Sequence, residues 1–239
     1  MFRARNIFQL ALLLSASMFL SAETWAQMRA TLSQKSEVGG GIGTFNYAGD
    51  LVRFYDPGFS SLAITGFYRY NISSVVSFRA GLTGGKLRAS DKSHPIDAFA
   101  NQRGYSFDIS LVEASTTFEY HFLDWRDSKR KLRFTPYLMS GIVMFGINGF
   151  PTKNAEFSNV QIGIPLGGGI KYVLNPKWYM AVELAWRRTF FDYLDNISDN
   201  DPSLKNYQYG NRFDNDTYFF MGVTLTRTFY DIPCPKNPY

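Results

Sequence analysis

Thr217–Phe229 (TYFFMGVTLTRTF) alternates along its length. Phe219, Met221, Val223, Leu225 and Phe229 fall on one face of an extended chain. Tyr218, Phe220, Gly222, Thr224, Thr226 and Thr228 fall on the other. A period of two with one apolar face defines a β-strand whose two sides meet different surroundings. Arg227 breaks the apolar face near the strand end, where a long cation reaches lipid head groups.

The pattern recurs. In Trp178–Phe191, Trp178, Met180, Val182, Leu184 and Trp186 oppose Ala181, Glu183, Ala185, Arg187 and Thr189. In Gln161–Val173, Ile162, Ile164, Leu166, Ile170 and Tyr172 oppose Gly163, Gly167, Gly169 and Lys171. Pro165 lacks an N–H for the ladder and predicts a bulge there. Ser60–Asn71 sets Leu62, Ile64, Tyr68 and Tyr70 against Thr65, Phe67 and Arg69, and Val75–Leu87 sets Val76, Phe78, Ala80 and Leu82 against Ser77, Arg79 and Thr83. In Tyr105–Phe122, Val112, Ala114, Phe118 and Tyr120 oppose Glu113, Ser115, Thr117, Glu119 and His121. Phe107, Ile109 and Leu111 take the other parity, which predicts a bulge near Leu111. Phe134–Gly146 and the glycine-rich Glu37–Asn46 read as weaker strands.

These segments predict an all-β chain: an eight-stranded antiparallel transmembrane β-barrel spanning 27–229. Connections alternate in length. Asn71–Val75 and Leu174–Lys177 are tight, with Leu123–Leu132 a longer turn on the same side. Tyr47–Phe59, Arg88–Gly104, Ile147–Val160 and Asp192–Asn215 are long. Short periplasmic turns and long outer loops are the rule for such barrels, and an even strand count puts both termini in the periplasm. Trp178 and Trp186 bracket the apolar face of one strand. With Tyr172 and Phe229 they are the expected residues of the aromatic girdles facing outer-membrane lipid. A soluble sandwich or lipocalin-like barrel would turn the aromatics inward and Arg69, Arg79, Glu113, Glu119, Lys171, Glu183 and Arg187 outward. Periodicity alone leaves that choice open. The Trp pair, the loop alternation and the N-terminus favour the membrane.

Residues 1–26 have the form of a signal peptide. Arg3 and Arg5 precede the apolar run Ile7–Ser21, and Thr24-Trp25-Ala26 fits a cut before Gln27. No later run is long and apolar enough for a helical span. Aromatics make up 17% of the chain, and the net charge is +5. The charges are scattered and the chain is exported, so nucleic acid is not an expected partner. Arg126–Arg133 is the one dense cationic cluster, and Arg126, Lys129, Arg130 and Lys131 form a candidate periplasmic contact. The single cysteine, Cys234, lies in a Pro-rich periplasmic tail, 230–239, that extends past the last strand. Pro233 and Pro235 hold it on a stiff, extended arm. In an oxidising compartment one cysteine is either a free thiol or half of an intermolecular bridge. Cys234, Pro233, Pro235 and Tyr239 are the leading partner-contact candidates.

Catalytic signals are sparse. His94 lies in a loop, and His121 ends a strand. Neither has a serine two residues on, the pattern some barrel lipid hydrolases carry. No Cys/His set has zinc spacing. Asp195–Asp201 is acidic but lacks the glycine turn and terminal glutamate of an EF-hand. No cofactor is expected, and a non-enzymatic role is the leading reading. Three rivals stay open: a surface barrel working through Asp192–Asn215, an enzyme using His121 or Glu119, and a solute channel lined by Arg79 and Glu183.

Several segments resemble the PorG-like outer-membrane proteins of the type IX secretion system. They are Ser36–Leu51, Ser115–Trp125, Phe134–Gly146, Pro165–Val173 with the LNPKW that follows, and Phe229–Pro235. The resemblance implies an outer-membrane anchor for a periplasmic ring, in contact with a ring lipoprotein or ring protein. Such an anchor supports protein export and, in some bacteria, gliding.

Overall fold

The computed structural model describes residues 33–49, 51–52, 55–90, 104, 106–123, 133–150, 158–190, 194 and 216–231. Eight strands close into one antiparallel barrel in chain order. They are β1 (Ser33–Ala48), β2 (Ser61–Asn71), β3 (Val76–Ser90), β4 (Ser106–His121), β5 (Phe134–Asn148), β6 (Val160–Asn175), β7 (Trp178–Thr189) and β8 (Thr217–Asp231). Closure removes both sheet edges, so every strand finds a ladder partner on each side. Residues 72–75, 122–133 and 176–177 connect strands at one end, where β1 begins and β8 ends; residues 49–60, 91–105, 149–159 and 190–216 connect them at the other. These are called the short-turn and long-loop ends below.

The apolar faces point outward. Leu62, Ile64, Leu82, Val112, Ile142, Ile162, Ile170, Leu184, Val223 and Leu225 are all exposed on the outer wall, and Arg69, Glu113, Glu119, Lys171, Glu183 and Arg187 are buried in the lumen. That inverts a soluble barrel and answers the choice the period-two pattern left open. A largely apolar wall is stable against hydrocarbon and costly against water.

Neither predicted bulge is present. Through Leu111 the β3–β4 register is continuous, with Leu111↔Gly85 followed by Val112↔Gly84. Phe107, Ile109 and Leu111 stay on the inward face because the lumen itself turns apolar at the long-loop end, not because the strand changes parity. Pro165 pairs with Arg187 of β7 without a register shift. On its β5 side the ladder has no pairs between Ser140↔Leu166 and Val143↔Gly163, so the register is kept across a short gap. The irregularity in the β6–β7 register lies between Val173 and Asn175, beside the 176–177 turn.

The strand expected to be weak, β1, has a well-defined register against β2 from Ser36↔Tyr70 to Phe45↔Ser61. Its glycines make room for lumen side chains. A Cβ at Gly39 would overlap the Phe67 ring, and one at Gly169 of β6 would press on the Tyr137 ring. Small residues facing large ones across a narrow barrel let side chains fill its interior.

Candidate functional site

The lumen has two halves of different chemistry. At the short-turn end, Arg69 of β2 and Arg79 of β3 are direct cross-strand neighbours. Like charges so placed repel, and Glu119 of β4 lies between them. Arg69 Nε is 2.7 Å from Glu119 Oε2, and Arg79 Nη1 is 3.6 Å from Glu119 Oε1. Each arginine also has its own carboxylate. Arg69 Nη1 donates to Glu37 Oε2 at 2.7 Å, and Arg79 Nη1 to Glu183 Oε2 at 2.5 Å. Both guanidinium groups rest on Phe67, with Cζ 4.8 Å from the ring centroid for Arg69 and 3.9 Å for Arg79. The ring face adds a favourable cation–π contact in a dry setting.

Neutral donors complete the network. Tyr137 Oη donates to Glu183 Oε2 at 3.0 Å, and Asn71 Nδ2 to Glu37 Oε1 at 2.8 Å. Ser77 Oγ donates to Asn71 Oδ1 at 2.7 Å. Lys171 Nζ lies 3.0 Å from His121 Nε2 and 3.9 Å from carboxylate oxygens of both Glu37 and Glu119. An ammonium can only donate, so Nε2 accepts. Nδ1 then carries the ring hydrogen and faces Val75 O at 3.3 Å.

Midway along the lumen, Arg187 Nη2 donates to Glu113 Oε1 at 2.9 Å and Nη1 to Ala185 O at 3.0 Å; Tyr218 Oη donates to Glu113 Oε2 at 2.8 Å. Beyond this pair the lumen turns mainly apolar. Phe45, Tyr47, Leu87, Ile109, Phe145, Tyr218 and Phe220 pack together, and Leu51, Val52, Phe59 and Leu194 join them. Phe45 meets Tyr218 edge-on at 5.6 Å, and Phe145 meets the same ring at 5.6 Å. Asp216 draws the long-loop end together. It accepts from Tyr47 Oη at 2.5 Å and from the Leu194 amide at 2.9 Å, and its carbonyl accepts from Thr189 Oγ1 at 2.5 Å. Asn46 grips the backbone of Asp56, accepting from its amide at 3.1 Å and donating to its carbonyl.

Glu37, Glu113, Glu119 and His121 have 0% exposure. A water-filled passage would wet them, so side chains seal the lumen. Among the described residues no group of three or more His, Cys, Asp or Glu side chains is placed to hold a metal ion. The expected luminal charges converge here, and His121 and Glu119 sit inside the ion-pair network. Glu37 was not among those charges, because glycine-rich β1 gave a weak strand signal. Nor was the apolar cluster foreseen, because inward apolar residues imitate a change of parity.

On the outer wall, Trp178, Tyr172 and Phe229 are exposed at the short-turn end, and Trp186 is half-buried toward the long-loop end. Tyr70, Phe78, Tyr120 and Phe134 extend the short-turn set, so each strand from β2 to β8 gives it an aromatic side chain. Residues 1–26, the tail residues Pro233, Cys234, Pro235 and Tyr239, and the cations Arg126, Lys129, Arg130 and Lys131 lie outside the described residues. So do His94 and Asp195–Asp201.

Solved structures share this architecture. Neisserial surface protein A is similar at 11% identity and a TM-score of 0.50, over 83% of this chain and 99% of that one. The N-terminal β-barrel domain of Pseudomonas aeruginosa OprF is similar at 14% identity and a TM-score of 0.45, over 82% and 98%. The outer membrane protein OprG from the same organism is similar at 15% identity and a TM-score of 0.43, over 84% and 98%. At 11% identity the likeness to Neisserial surface protein A bears on the barrel fold alone. No curated protein matches the sequence. Residues 16–237 match the family described as "Domain of unknown function (DUF6089)", and the chain belongs to that family.

Proposed function

We propose that this chain is a non-enzymatic outer-membrane barrel that anchors a periplasmic ring and lipoprotein complex of a type IX-like secretion machine, and so supports protein export. In this reading residues 1–26 are removed on export, lipid holds the barrel, and the short-turn end faces the periplasm.

The observation that carries the proposal is the sealed lumen. Its carboxylates are held by Arg69, Arg79, Lys171 and Arg187, and its long-loop half is packed with aromatic and aliphatic side chains. A barrel filled in this way offers partners its wall, its rims and its flanking segments. The segments with unassigned roles are the cationic 126–131 turn and the tail around Cys234. Both belong to the periplasmic side in this orientation, and the resemblance to PorG-like proteins draws on the tail.

The test is a pull-down of the full-length protein from mildly solubilised outer membranes, without reductant, beside Cys234→Ser. Co-purification of a periplasmic lipoprotein and a ring component is the expected result. A high-mass band lost in the variant adds a disulfide tether through Cys234. A lone barrel in both samples overturns the anchoring role and turns attention to the long loops as a binding surface.

A further inference from the structure

The outer wall is hollow across β2–β5. Consecutive rungs of the sheet read Tyr68–Ala80–Thr116–Ile142, then Gly66–Leu82–Ala114–Met144, then Ile64–Gly84–Val112–Gly146. Gly66, Ala80, Ala114 and Thr116 floor a groove of about 550 Å³, walled by Leu82 and Ile142. Packing inside the protein does not call for this shape. A Cβ at Gly66 or Gly84 would meet no atom within 4 Å, whereas one at inward-facing Gly39 or Gly41 would collide with its neighbours. Glycine within a strand weakens it and marks a bulge, a tight bend, or a place where a ligand or another backbone approaches closely; the β2–β3 and β3–β4 registers run through Gly66 and Gly84 without a bulge.

Up the same face of β3 the outward row runs Leu82, Gly84, Lys86, Arg88. Both cations are exposed. Lys86 Nζ is 3.5 Å from Asp108 Oδ1, and Arg88 Nη2 donates to Ser60 O at 3.4 Å. Among the described residues, the outward charges on strands at the long-loop rim are Lys86, Arg88 and Arg188 against Asp108, a net positive set. Lys86 lies ~13 Å along the strand from Leu82, so an acyl chain in the groove can belong to a head group at the cations.

We propose that this face binds a phosphate-bearing, multiply acylated glycolipid of the outer leaflet, one acyl chain lying in the groove and a phosphate meeting Lys86 and Arg88. The groove supplies apolar contact, and the cation pair supplies charge-assisted hydrogen bonds to phosphate oxygens. The proposal rests on the outer-membrane placement above, with the long loops outward, and is independent of the anchoring role.

The test titrates the full-length protein, extracted in mild detergent, with diphosphorylated lipid A, dephosphorylated lipid A or phosphatidylglycerol, and reads bound lipid by native mass spectrometry. Flotation with vesicles checks membrane insertion separately. Diphosphorylated lipid A is expected to bind tightest. The Lys86→Ser/Arg88→Ser variant should lose several-fold in affinity for it and bind the two forms of lipid A alike. Gly66→Leu, whose Cβ would meet no atom within 4 Å, fills the groove and should weaken lipid A binding several-fold at unchanged barrel content; Ala114→Leu is a second groove variant. Phosphatidylglycerol binding as tightly as lipid A overturns the proposal, as does wild-type affinity in the cation and groove variants. Protein that floats with vesicles yet shows no lipid preference sinks this inference alone, whereas protein that fails to float sinks the membrane placement.

Discussion

Arg187 of β7 and Glu113 of β4 form a buried ion pair, 2.9 Å between Nη2 and Oε1, at the boundary between the charged and apolar halves of the lumen. Removing one partner leaves the other charged, buried and uncompensated. Glu113→Ala is expected to cost ~3–5 kcal/mol. Replacing both partners by apolar residues of similar size, Glu113→Leu with Arg187→Met, should recover most of that loss. Equilibrium unfolding of the vesicle-inserted protein measures both, and a double variant no more stable than the single one would contradict the pairing argument.

Phe67 fills the space left by Gly39 and carries two guanidinium groups on its ring. Phe67→Ala should cost ~3–5 kcal/mol by cavity formation alone, and Phe67→Leu less. Adding Arg79→Met to Phe67→Ala should cost less than the sum of the two single changes, because the cation–π contact is then counted once.

The apolar wall predicts a depth-dependent penalty. Leu184→Arg, at the middle of β7's outward face, should cost ~2–4 kcal/mol, and Val160→Arg, at the long-loop end of β6, at most ~1 kcal/mol. Equal penalties at the two depths would argue against a bilayer around this wall.

A sealed lumen should not conduct. In planar bilayers the wild type and Glu183→Gln are both expected to show no steady unitary current. Discrete, voltage-independent steps in the wild type would mean that the packing of Phe45, Phe145 and Phe220 opens in the membrane.

The strand count, the parity of each face and the loop alternation were legible because they follow from local period-two patterning, as in Trp178–Trp186 and Thr217–Phe229. Long-range consequences were not. Phe107, Ile109 and Leu111 read as a bulge because one strand cannot report that Phe45, Phe145 and Phe220 meet them across the lumen. Pro165 read as a bulge because a missing donor is visible in sequence, while the ladder's capacity to skip rungs is not. Glu37 was missed for a related reason: its glycine neighbours depress the strand signal, yet those glycines are what admit Phe67 beside the arginines. The depth of the groove on β2–β5 depends on four strands in register, which no single strand encodes.

The luminal ion pairs also fix how the molecule responds to an electric field. Among the described residues the luminal ion-pair network holds the cations Arg69, Arg79, Lys171 and Arg187 and the carboxylates Glu37, Glu113, Glu119 and Glu183, while Asp216 is buried apart from it at the long-loop end. Each charge moved across a membrane couples to the potential at ~2.3 kcal/mol per 100 mV. A matched network, with several charges sharing partners, has no net charge to pull and little freedom to reorient. A Donnan potential therefore finds no net gating charge in this network.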